Sequence, residues 1–233
     1  MNGLAGLAAV IPALDEEGSI AAVVAGLRQR GVATVIVADN GSTDRTAEVA
    51  RAAGAVVVPA LRRGYGSACL AGLAALPADA RAVVFADADG ADDLDRLEAL
   101  CAPVLSGTVD LMIGSRALGR QEPGALTAPQ RMGNLVATTL LGLLFWRRVS
   151  DLGPFRCIDR AALDRLGMRD PAFGWTAEMQ TKALRRVLRY AEIPVDARCR
   201  TAGRSKISGR IGPVFKAGWA ILTTILRYRC RSS

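Results

Sequence analysis

Two carboxylates one residue apart, Asp87 and Asp89, close an apolar run in the segment Arg81 to Asp93, RAVVFADADGADD. The run Ala82 to Ala86 reads as a buried strand. Alternate side chains of an extended chain point the same way, so the two carboxylates flanking Ala88 can converge at the strand's C-terminal end. Gly90 then lets the backbone turn. Hard divalent cations such as Mg²⁺ or Mn²⁺ take carboxylate oxygens and keep positions for water or substrate phosphate, an arrangement suited to a nucleotide diphosphate. A second reading is a plain strand followed by Asp caps for a helix beginning near Asp92.

Composition narrows the chemistry further. The chain has no histidine, which excludes Ser-His-Asp and Cys-His catalysis and His-ligated zinc. Any proton must move through a carboxylate, Tyr, Cys, Lys or water. The net charge is +8, and from Arg185 onward twelve Lys and Arg face only Glu192 and Asp196, so that part carries +10 and the preceding part about −2. A basic tail of this kind suits the phosphates of a nucleotide, a lipid headgroup or a nucleic acid, and equally a solvated basic face. Because it is interrupted by WAILTTILRY, a membrane surface or lipid phosphate is the favoured partner. The five cysteines are scattered without a CxxC pair, and no charged segment followed by an apolar one opens the chain. Reduced thiols and a cytoplasmic location, peripheral on the inner face of a membrane, are expected.

The elements that must position the carboxylates follow a rhythm. Leu7 to Ile11 reads as a strand ending at Pro12, with LDEEGSI and a helix to Arg28 after it. Ala33 to Ala38 ends at Asp39, and a turn leads into a helix capped near Ser42 or Thr43. Ala55 to Val58 supplies a short strand, and Arg62-Arg63-Gly64-Tyr65-Gly66-Ser67 precedes a helix to about Leu76. Two glycines beside two arginines at a helix start suit a diphosphate approaching backbone N–H groups, or simply a tight turn. A helix from Asp92 to about Leu105 and a strand from Val109 to Gly114 ending at Arg116 complete the pattern. Strands alternating with helices imply an α/β chain: a mostly parallel, Rossmann-like sheet with helices on both faces. Ligands of such sheets bind beyond the strands' carboxyl ends, and Asp15, Asp39, Asp87, Asp89 and Arg116 all lie there.

Past Arg116 the rhythm breaks. Ala117 to Gln130 reads as a loop and Arg131 to Arg147 as an apolar helix too short to span a bilayer. Ser150 to Arg156 is a compact turn carrying Asp151 and Arg156. Glu178 sits near the start of a helix with a basic far end, where it complements the helix dipole. A strand from Tyr190 to Val195 leads to CRTAGRSKISG, a loop suited to folding over phosphates, and to a final helix from Pro213 to about Tyr228. Core packing and docking on a bilayer through residues 213–231 are both open for that helix.

Taken together, VIPALDEE, IVADNGSTDRT, RRGYGSA, VVFADADGADD, DLGPFR, GWTAEMQ and GRSKISG resemble glycosyltransferase family 2, inverting enzymes of the GT-A fold, and within it the polyprenyl-phosphate mannose or glucose synthase-like branch. The resemblance implies a single GT-A domain over 1–233, with a nucleotide-sugar half (1–116) and an acceptor-side helical extension (117–233). It implies that Pro12, Ala13, Leu14 and Glu16 line a nucleoside pocket, that Asp39 meets the base, and that Arg62 to Gly66 lies beside the nucleotide. Asp87 and Asp89 would hold Mg²⁺ or Mn²⁺ on the donor diphosphate. Arg116, Arg131, Asp151, Arg156, Arg204, Ser205 and Lys206 are the expected acceptor and phosphate residues. A phosphate acceptor is already anionic and needs no general base, whereas a hydroxyl acceptor would use Glu178. No nucleic-acid partner is expected, because a rim of acids repels a phosphate backbone. A non-catalytic subunit, docking on a membrane or, through the basic tail, binding nucleic acid, is the non-enzymatic alternative.

Overall fold

In the computed structural model, residues 3–201 and 211–230 are described, the side chains of 211–217 and of 230 excepted. The apolar runs form strands β1 (Leu7–Ala13), β2 (Thr34–Asp39), β3 (Val56–Pro59), β4 (Ala82–Phe85), β5 (Leu111–Ser115), β6 (Arg156–Asp159) and β7 (Tyr190–Pro194). Among the described residues these make one seven-stranded sheet in the order β3-β2-β1-β4-β6-β5-β7. Every neighbouring pair is parallel except the two that involve β6.

The helices are α1 (Ile20–Gln29), α2 (Thr46–Ala52), α3 (Tyr65–Ala74), α4 (Leu97–Leu105), α5 (Ala128–Phe145), α6 (Arg160–Leu166), α7 (Trp175–Arg185) and α8 (Ile211–Cys230). Side chains alternate across the sheet, as a period of two requires. Ala9, Ile11, Val84 and Cys157 pack with Val24 and Leu27 of α1 and Leu100 of α4, while Val10, Val83, Phe85 and Ile158 pack with Cys69 of α3, Leu163 of α6 and Met179 of α7. Helices therefore cover both faces, as expected. A third cluster joins Leu141 of α5, Ala177 and Leu184 of α7, and Ile225 of α8, so the C-terminal extension is built on α7.

Four expectations are corrected. Pro12 lies inside β1, which runs to Ala13. The Val10 carbonyl accepts a hydrogen bond from Ala86 on the β4 side, and residue 12 faces that side again beyond the end of β4, where no N–H is required. Helix α2 starts at Thr46, and Ser42 caps nothing: it binds Asp39 and the Asp15 N–H instead. Helix α5 starts three residues before Arg131, because Thr127 and Gln130 form a reciprocal capping box with Pro129 in the first turn. Finally, Arg156 opens the strand β6. Since β6 runs against its neighbours, its first residue lies at the same rim as the last residues of β4 and β5.

Candidate active site

The rim is assembled by loops that tie one another down. Asp15, at φ +47, accepts the Thr43 N–H at 2.7 Å, and the Glu16 N–H donates to Thr46 Oγ1 at 2.7 Å. Asp39 accepts from Ser42, and Asn40 holds the 62–64 loop by donating to the Arg62 carbonyl and accepting the Gly64 N–H, both at 2.7 Å. Pro12 and Ala13 end β1, and Leu14, Glu16 and Asp39 are half-buried beside it. Arg62 is exposed.

At the end of β4, Asp89 is buried and Asp87 half-buried, with Ala88 buried between them. The Asp87 N–H donates to Asp92 Oδ2 at 2.7 Å and the Ala91 N–H to Asp89 Oδ1 at 2.9 Å, folding the turn so that three carboxylates share one loop. Asp87 is pushed up to about 7, first by burial and then by the Asp89 charge, with Arg116 and Arg200 pulling the other way. Burial and then the Asp87 charge push Asp92 up as well. Crowded carboxylates of this kind are short of positive charge. A bound cation offsets both costs, so the donor set fits Mg²⁺ or Mn²⁺. Among the described residues no three such side chains form a closed metal cage. A hard cation shared with a diphosphate needs only one or two protein carboxylates.

The cleft beside these acids has a volume of about 270 Å³, and its cations are Arg116, Arg198 and Arg200. Arg116 is gripped by Asp151, whose Oδ2 accepts the main-chain N–H and Nε at 2.8 Å each and whose Oδ1 accepts Nη2 at 2.9 Å. Buried Asp151 is in turn fixed by its neighbours. Asn134 of α5 donates to the Ser150 carbonyl and accepts the Leu152 N–H, and Gln180 of α7 donates to the Asp151 carbonyl. Burial works against the charge on Arg116, but the charge and hydrogen bonds of Asp151 together with the Asp92 and Asp87 charges more than offset it and hold the guanidinium protonated.

The segment after β7 lies along the Asp87–Asp93 loop. Arg200 bridges Glu16 at 3.1 Å and Asp89 at 3.0 Å, and Arg198 bridges Asp93 at 2.7 Å and Asp95 at 2.8 Å. The Thr201 N–H donates to the Asp89 carbonyl at 3.1 Å. Gly90 is required there twice over: φ is +75°, and a Cβ would stand 2.6 Å from Thr201 Oγ1.

Other expected residues go elsewhere. The N–H groups of Gly64, Gly66 and Ser67 are bonded to Asn40, Ala172 and Pro171. The glycines admit the 170–172 loop, since a Cβ on Gly66 would stand 1.9 Å from the Asp170 carbonyl. Glu178 is buried away from the cleft. It accepts the N–H groups of Arg169 and Asp170 at 3.0 and 2.7 Å and pairs with Lys182 at 2.6 Å. Arg156, also buried, spends its donors on the carbonyls of Leu152, Gly153 and Thr176. Arg131 is exposed and lines a smaller hollow with Leu126, Asn134 and Asp151. Arg204, Ser205 and Lys206 lie outside the described residues. Sequence reasoning missed Asn40, Arg198 and Arg200. The arginine-rich segment from Arg198 to Lys206, RCRTAGRSK, was the available signal, but nothing local distinguished Arg198 and Arg200 from Arg204.

Comparison with known proteins agrees with this geometry. Residues 8–167 match the family model described as Glycosyl transferase family 2, and the chain belongs to that family. It is 38% identical over 204 residues to an uncharacterized glycosyltransferase of Mycobacterium tuberculosis, covering 87% of this chain and 89% of that protein. It is 31% identical over 230 residues to a dolichyl-phosphate hexose transferase of Haloferax volcanii, covering 97% and 96%. Among solved structures, M. tuberculosis glucosyl-3-phosphoglycerate synthase in complex with Mn²⁺, UDP and glucosyl-3-phosphoglycerate superposes with a TM-score of 0.76 at 25% identity, covering 97% of this chain and 81% of that one. The protein is a glycosyltransferase enzyme with a GT-A-like α/β fold.

Proposed function

We propose that this member of glycosyl transferase family 2 moves a hexose from a nucleotide-diphosphate sugar, of the UDP-glucose or GDP-mannose type, to a lipid phosphate. An acceptor phosphate oxygen forms the new bond to the anomeric carbon as the bond to the nucleotide diphosphate breaks. The leaving diphosphate takes the electron pair, and the configuration inverts.

The observation that carries this reading is the charge distribution of the cleft. Among the described residues, its acids are Asp87, Asp89 and Asp92 and its cations are Arg116, Arg198 and Arg200. The acids suit a Mg²⁺ or Mn²⁺ ion, which when bound supplies Lewis-acid stabilisation of the leaving diphosphate. With Asp87 and Asp89 on the ion, Asp92 accepts the Asp87 N–H, and an anionic acceptor requires no general base. Arg116, fixed by Asp151, orients the acceptor phosphate, with Arg131 beside it and Arg204, Ser205 and Lys206 completing the contact. Pro12, Ala13, Leu14, Glu16 and Asp39 hold the nucleoside, with Arg62 alongside. Residues 1–233 act as a single catalytic domain at the cytoplasmic face of a membrane. The dolichyl-phosphate and undecaprenyl-phosphate names of relatives across most of the chain support the acceptor class.

A second reading has a specific observation behind it: the structural neighbour's complex contains glucosyl-3-phosphoglycerate, so a soluble phosphorylated acceptor is the rival. Product analysis with a nucleotide sugar, Mn²⁺ and either polyprenyl phosphate or phosphoglyceric acid separates the two. Labelled glycolipid is the expected product, and sugar transfer only to the soluble acid overturns the lipid-phosphate reading.

A further inference from the structure

Helix α5 presents an unpartnered apolar stripe. Met132, Leu135, Val136, Leu143 and Trp146 are exposed, Leu143 at 68% and Trp146 at 92%, and their spacing places them along one face. The opposite face, with Ala137 and Leu141, is already buried against α7 and α8. A row of this length is more than the scattered apolar residues normal to a protein surface. Trp146 is also held at φ +53, the left-handed conformation usually left to glycine or asparagine, with its N–H bonded to the Gly142 carbonyl. The chain accepts a strained cap with an indole standing in solvent.

Charge identifies the occupant. From Ala128 to Ser150 there is no acid, while Arg131, Arg147 and Arg148 flank the stripe; α8 likewise has no acid and carries Lys216, Arg227 and Arg229. The Arg229 guanidinium stands 5.7 Å from the Phe145 ring, bringing the basic end of α8 to the end of α5. A second copy would set arginines against arginines, whereas an anionic bilayer meets both the apolar stripe and its basic rim. Leu135 and Arg131 also line the hollow that adjoins Asp151, so the stripe runs to the acceptor side of the cleft.

We propose that the exposed face of α5, with Trp146 and the Arg147-Arg148 pair at its end, seats the protein on an anionic lipid surface. The face deepens the lipid-phosphate reading but is tested apart from it, because the vesicles used contain no polyprenyl phosphate. Co-sedimentation with phosphatidylcholine vesicles containing phosphatidylglycerol is compared with pure phosphatidylcholine. Trp146 emission is followed in a Trp219→Phe background, which leaves Trp146 and the buried Trp175 as the only tryptophans. Binding to anionic vesicles only, with a blue shift of Trp146, is expected. Leu143→Gln/Trp146→Gln and Arg147→Gln/Arg148→Gln should each weaken partitioning by about tenfold or more while melting as the parent does. Unchanged binding in both double variants, no binding to any vesicle, or a dimer in solution that Leu143→Gln/Trp146→Gln dissociates overturns the proposal.

Discussion

Asp151 holds both the main-chain N–H and the guanidinium of Arg116, three hydrogen bonds of 2.8 to 2.9 Å on one buried carboxylate. The pair exists because β6 is antiparallel. The turn that precedes it returns to the rim where β5 ends, so residues 35 positions apart in sequence meet beside the acidic loop.

Removing Arg116 strands that carboxylate. Arg116→Ala should cost about 3–5 kcal/mol of stability, the penalty of an uncompensated buried charge. Arg116→Lys keeps the charge without the two-pronged grip and should cost less, yet still lose acceptor affinity. Urea unfolding and acceptor KM together check both statements.

Glu178 is an anchor, with two main-chain N–H groups and Lys182 on its carboxylate. Glu178→Gln should therefore destabilise the protein by about 2 kcal/mol and leave kcat of the folded enzyme within a few-fold. A general base would behave otherwise, with kcat falling by about 10² or more at unchanged stability. Thermal melts beside initial rates distinguish the two.

Gly66→Ala should displace the 170–172 loop, because its Cβ meets the Asp170 carbonyl at 1.9 Å. Overpacking against backbone costs about 1–3 kcal/mol. Since Glu178 holds the same loop through Arg169 and Asp170, Gly66→Ala and Glu178→Gln should combine non-additively in a double-mutant cycle.

Asp110 ties the start of β5 to the start of β7 by accepting the Arg189 N–H at 2.8 Å and pairing with its guanidinium. The hydrogen bond from Arg189 holds its carboxyl below the usual carboxylate range, against partial burial. A depressed folded-state value means that the stability is present above the unfolded value of about 4 and is lost as pH falls through the folded one. The gap between the parent and Asp110→Asn, about 1 kcal/mol at neutral pH, should close on acidification below that value. Chemical denaturation across the acid range measures it.

The N-terminal half was readable because its signals are local. An apolar run ending in Asp, repeated at βαβ spacing, places Asp39, Asp87 and Asp89 on one rim. Strand β6 was hidden: Arg156-Cys157-Ile158-Asp159 is short and begins with an arginine, and its place is set by pairing with β4 and β5 rather than by its own pattern. Arg198 and Arg200 were missed for the same reason, since their partners Asp93, Asp89 and Glu16 are about 105 to 184 positions away. Glu178 was placed at its helix start, but the 169–170 loop that occupies it is a tertiary contact.

Asp87 and Asp89 are expected to hold a cation on a nucleotide-sugar diphosphate. Calorimetric titration of UDP-glucose and GDP-mannose into the protein and into Asp89→Ala, with and without Mn²⁺, tests it most directly. Metal-dependent binding of one donor to the parent, abolished in Asp89→Ala while the fold is retained, is the predicted result. Donor binding that is indifferent to both the metal and the substitution contradicts it.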